Sequence, residues 1–182
     1  AVIFAVLYLP HAFILIQDLS LIRAYDEIGS KYIAAIDNLF SVPYYNMHYG
    51  DISKLSGWTY LAINFAILGP IKLLLTFVGI ENKIAIYTAI RLIIFSIGLI
   101  STLVFYSIAK HLLANKLIAF CAAIFFVISP VGYKLFYLLQ PESTGLMFIL
   151  LAVLMLLKFI AQPNEYKLYF WGFVSLVLAV LS

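Results

Sequence analysis

Long apolar stretches alternate with short polar clusters along this chain, and the spacing predicts membrane-crossing helices at roughly 1–17, 87–109, 117–135, 143–160 and 168–182. Each window approaches the ~20 residues that span a bilayer as helix. A sixth stretch, 58–80, is interrupted by Gly69-Pro70, which leaves two pieces of about ten residues, each too short to cross alone. Pro70 by itself would only kink a transmembrane helix, because neighbours can satisfy the freed carbonyl. Between the first window and this stretch the pattern changes. Ile28, Tyr32, Ile33, Ile36, Leu39 and Phe40 recur at helical spacing, with Lys31, Asp37 and Asn38 elsewhere around the wheel. That is an amphipathic helix lying on the membrane surface. The fold class expected is therefore all-α: a polytopic transmembrane helix bundle with amphipathic interfacial helices in its first external loop, 18–86.

Composition agrees. The chain is 65% hydrophobic, 16% aromatic and only 10% charged, with a mean hydropathy of +1.10, far from soluble globular usage. The net charge of +3 comes from scattered basic residues, so there is no nucleic-acid footprint. The single cysteine, Cys121, lies in an apolar stretch and offers neither a disulfide nor a cysteine-based metal site. Ala1 opens inside one apolar run and Ser182 closes inside another, without an initiator Met or a basic leader region. The expectation is a fragment, the N-terminal part of a larger membrane domain.

Charge sets the topology. Lys110, His111 and Lys116 form one short basic loop, and Lys158, Glu165 and Lys167 mark a second. Both fall on the same side of the membrane whether or not 58–80 spans, and the positive-inside rule makes that side cytoplasmic. Glu142 then lies outside. Asp26 joins it there only if 58–80 does not span, which is the expectation adopted because it gathers the acids into one chamber.

The acid pair Asp26-Glu27 stands at the membrane boundary, at the start of the amphipathic helix. Carboxylates in such a place are costly unless solvated, capped or functional. Asp26 can cap the helix, with Glu27 favoured by its dipole, or act as a general base. The following loop, 42–51, is dense in aromatics and holds His48 and Asp51, with Lys54 shortly after. Tyrosines and tryptophans there suit interfacial anchoring. His48, Asp51 and Glu27 can be drawn together as ligands of a divalent metal, although their spacing matches no known ligand motif. Lys54 is placed either to snorkel or to meet a phosphate. Arg91, near the outer end of its span, has the same two options. Glu142 opens another span, where it complements the helix N-terminus or supplies a second acid, and Ser143 and Thr144 are capping candidates.

Taken in order, Tyr25-Asp26-Glu27, the surface helix, the aromatic loop, Trp58-Thr-Tyr-Leu-Ala-Ile-Asn64, the span headed by Arg91, the basic turn 109–116 and Leu139-Gln-Pro-Glu142 resemble the N-terminal half of GT-C glycosyltransferases. The nearest likeness is to bacterial enzymes similar to dolichyl-phosphate-mannose protein mannosyltransferases and to the aminoarabinose transferase of lipid A. The resemblance implies an integral, multi-pass membrane enzyme, in a prokaryotic plasma membrane with its active site facing outward. It would move a sugar from a polyprenyl-phosphate donor to a lipid, glycan or protein acceptor. It implies Asp26 as catalytic base with Glu27 beside it. Lys54, Arg91 and Arg23 would contact the donor phosphate, and Glu142, His48 and Asp51 the acceptor or a metal. Metal dependence stays open. Two other readings compete: half of a transporter, which would place acids near mid-span, and a membrane scaffold whose acids only cap helices.

Overall fold

The computed structural model of the chain describes residues 73–79, 83–130, 132 and 142–181, together with single positions 2, 3, 6, 66 and 70. Among the described residues there is helix and turn but no strand, so the all-α expectation holds. Four helices carry the architecture: α1, Lys83–Leu112; α2, Lys116–Ile128; α3, Glu142–Ala161; and α4, Tyr166–Val180. Residues 73–77 form a further helical stretch that turns at Val78-Gly79 before α1 begins. The described positions of the first window, 2, 3 and 6, are helical.

The helices depart from the predicted windows for local reasons. α1 has 30 residues and is thus ~45 Å long at 1.5 Å per residue. It includes Leu92–Leu112, 21 residues long and apolar enough to cross a bilayer, and the residues before Arg91, 84–90, are mainly apolar as well. α2 stops at Ile128, seven residues before the window 117–135 closes. The cause is Pro130. A residue before proline is driven out of the helical region, and Ser129 is extended, with φ −65° and ψ 153°. Ser129 then closes the helix end, donating to the Phe126 carbonyl at 2.7 Å and accepting from the Gly132 N–H at 3.0 Å. At its other end Asn115 caps α2 by accepting the Leu117 N–H at 2.8 Å. α3 contains the second long apolar stretch, Ser143–Ala161, of 19 residues. α2 and α4, with 13 and 15 residues, are apolar but shorter than the ~20 that a bilayer takes.

α1 packs against both α2 and α3, and α4 packs on α3. Contacts along the helices set their directions. At one end of the bundle Phe95 and Leu99 of α1 meet the same cluster as Val127 of α2 and Leu146 of α3. Further along, Val104 and Ile108 of α1 pack with Leu150, Leu154 and Leu157 of α3. Rising numbers on α1 thus match rising numbers on α3, and the two helices run parallel. The connections between α1 and α2, and between α3 and α4, are three and four residues long, which makes each pair a helical hairpin.

Apolar side chains gain little from leaving lipid for another helix, so close fit has to hold such a bundle. Small residues line the contacts: Ala119, Ala123 and Thr102 are fully buried, and Ser101 nearly so. Phe105 and Phe126 stack across α1 and α2, ring centroids 4.5 Å apart at 10°. On α4, Gly172 lies against Ala152, Met155 and Leu156 of α3. The hydroxyls of Ser96, Ser101, Thr102 and Ser107 each donate to the carbonyl four residues back, at 2.7–3.0 Å. This satisfies them within their own helix, as an apolar surrounding demands.

Candidate functional site

Of the predicted site residues, two fall on described helices. Arg91 lies in the third turn of α1, with the mainly apolar residues 84–90 before it and Leu92–Leu112 after it. Glu142 is the first residue of α3, at the last position before Ser143–Ala161. Two parallel helices in contact therefore carry a cation and an acid toward the same end of the bundle, Arg91 within an apolar run and Glu142 at the first residue of its helix. Phe95 and Leu99 of α1 share a cluster with Leu146 of α3, so Arg91 and Glu142 both lie toward the end of the bundle beyond that cluster. A carboxylate in the first turn of a helix is favoured by the helix dipole. Lys83 opens α1, eight residues before Arg91.

Asp26, Glu27, Arg23, Lys54, His48 and Asp51 lie outside the described residues, as does the segment 18–65 to which they belong. Among the described residues no group of three or more histidine, cysteine or acidic side chains gathers as a metal would require. Cys121 is exposed on α2.

Directly after Glu142 the structure departs from one expectation. Ser143 and Thr144 do not precede α3 as caps. The helix begins at Glu142, and both residues are buried within its first turn, 2% and 3% exposed. α1 adds Ser101 and Thr102, also buried. The sequence signal for this small polar seam was the recurrence of Ser, Thr and Gly in otherwise apolar helices, which sequence reasoning passed over. The Ser129–Gly132 closure of α2 stands at the same end of the bundle, and the Pro130 that announces it lay inside a window expected to run on to 135.

The family model described as dolichyl-phosphate-mannose-protein mannosyltransferase matches residues 77–182. The chain belongs to this family. The match takes in all four helices and with them Arg91 and Glu142. No curated protein and no solved structure matches the chain. Membership makes this mannosyltransferase-family chain a membrane glycosyltransferase of the GT-C type, whose reaction in general needs a polyprenyl-phosphate sugar donor and an acceptor. The transporter and scaffold readings give way to it. In such a transfer the lipid tail holds the phosphate at the membrane boundary. A cation there can offset the charge that develops on the departing phosphate. Among the described residues, Glu142 opens α3 and Arg91 lies toward the same end of α1.

Proposed function

We propose that the protein transfers a sugar from a polyprenyl-phosphate carrier to a lipid, glycan or protein acceptor on the non-cytoplasmic face of a prokaryotic plasma membrane. The observation that carries the reading is the family match over 77–182, supported by Arg91 and Glu142 lying toward the same end of two parallel, packed helices. Orientation follows from charge: the end with Lys110, Lys116, Lys158 and Lys167 is cytoplasmic by the positive-inside rule, which leaves Arg91 and Glu142 outside. Multi-pass topology, with spans near 1–17, 87–109, 117–135, 143–160 and 168–182 and an external loop 18–86, belongs to the same proposal.

Transfer begins when a base takes the acceptor's proton as its oxygen attacks the anomeric carbon, and it ends with the carrier phosphate leaving. Asp26 is assigned the base, with Glu27 adjacent. Arg91, Lys54 and Arg23 are assigned to the donor phosphate, and Glu142, His48 and Asp51 to the acceptor or to a divalent metal. The test is transfer from a polyprenyl-phosphate sugar by the full-length protein. A folded Asp26→Asn variant is expected to lose transfer while still binding donor; full transfer by that variant would remove Asp26 from the role. Orientation is read separately by single cysteines in a background without Cys121. Positions Lys31, Lys54, Lys83 and Glu142 should be labelled from outside and Asn115 from inside.

A further inference from the structure

The end of the bundle opposite Arg91 and Glu142 is built of helix termini that carry charge of one sign. Lys110 and His111 lie in the last turn of α1, and Lys116 opens α2. Lys158 lies in the last turn of α3, and Lys167 is the second residue of α4. Because α1 and α3 run parallel and in contact, the two turns come to the same end. Packed helices lie about 8–10 Å apart, so the termini of α1 and α3 stand within the reach of neighbouring lipid headgroups. Lys110, Lys116 and Lys167 are exposed and Lys158 is half-buried. Glu165 is the only acid in either turn, and among the described residues none of the four lysines has an ion-pair partner.

The surroundings of these lysines say what kind of partner fits. The apolar stretches of α1 and α3 end at Leu112 and Ala161, so Lys110 and Lys158 emerge at the edge of the hydrocarbon, where a long aliphatic stem can lie along apolar surface and lift its ammonium out. Tyr166, Tyr169 and Trp171, at 75%, 55% and 56% exposure, line the first turns of α4 at about the same depth. Exposed amphipathic rings beside unpaired lysines are the composition of a membrane–water boundary. A soluble acidic partner would have to reach those lysines inside the headgroup layer. An anionic lipid is already there.

We propose that this end of the bundle is a binding surface for anionic phospholipid headgroups, whose phosphates neutralise Lys110, Lys116, Lys158 and Lys167 across the two turns. The surface stands apart from the assignment of Asp26 and from the identity of donor and acceptor.

The test uses the full-length protein in detergent micelles with equal amounts of phosphatidylglycerol and phosphatidylcholine, bound lipids being counted by native mass spectrometry. The wild-type protein should retain phosphatidylglycerol in preference. The combined variant Lys110→Gln, Lys116→Gln, Lys158→Gln and Lys167→Gln should lose that preference by about tenfold or more, since each lysine near an anionic surface adds to the attraction. The same four positions changed to Arg should keep it, as should Lys83→Gln at the far end of α1. No preference in the wild type, survival of the preference in the glutamine variant, or equal loss in Lys83→Gln would each overturn the proposal. If the fourfold glutamine variant fails to fold, Lys110→Gln and Lys158→Gln, made singly, decide between the same outcomes.

Discussion

Gly172 offers the sharpest quantitative check on the packing of α3 against α4. A Cβ built on it would lie 3.4 Å from the Met155 Cβ, 3.7 Å from the Ala152 carbonyl oxygen and 3.7 Å from the Leu156 Cγ. These are ordinary contact distances, so one carbon fits without displacement. Replacing a helix-interior glycine by alanine also removes conformational freedom from the unfolded chain. Gly172→Ala should therefore raise stability by about 0.5–1 kcal/mol. Leucine adds three further carbons at a point where the neighbours already stand at contact, and the nearest includes backbone, which cannot swing aside. Overpacking of this kind costs about 1–3 kcal/mol. Leucine and alanine are both good helix formers, so comparing the two variants cancels most of the propensity term and isolates the fit. Measured by reversible unfolding of the full-length protein in mixed micelles, Gly172→Leu should be about 1–3 kcal/mol less stable than Gly172→Ala. Equal stabilities would refute the close approach of α3 and α4, and so would an alanine variant clearly weaker than the glycine parent.

Two further substitutions probe the ends of α2. At Gly132 a Cβ would overlap the Phe126 carbonyl oxygen and come within 2.7 Å of that of Val127; backbone must move, and Gly132→Ala should cost about 1–3 kcal/mol in the same unfolding measurement, a neutral result counting against the Ser129–Gly132 closure. Asn115→Ala should cost about 1 kcal/mol by removing the acceptor of the Leu117 N–H, while Asn115→Ser or Asn115→Asp should retain most of the stability.

The helical class was legible because apolar runs of near-bilayer length leave few alternatives. The basic turns were legible because lysines interrupt those runs at short, regular intervals. The candidate site was legible only in part. Arg91 and Glu142 stood out as charges in or beside apolar windows, and both fall on described helices. Asp26, Glu27, Arg23, Lys54, His48 and Asp51 were singled out by residue type and order, and they lie outside the described residues. The early end of α2 was written in Ser129-Pro130 but was outweighed by the apolar run around it, because hydropathy averages over a window while a proline acts at one residue.

By itself the sequence determined that the chain is helical, that it suits a membrane and where most of its helices lie, since these depend on local composition and on period. The alternation of spans also set both lysine turns on one side and Glu142 on the other; only the tertiary structure decided which helices meet and which residues pack, with Val104 and Ile108 of α1 against Leu154 of α3. A hydropathy pattern reports how apolar each segment is but carries no register between segments. That register is set by which small residues allow two helices to approach and which large ones fill the space left between them.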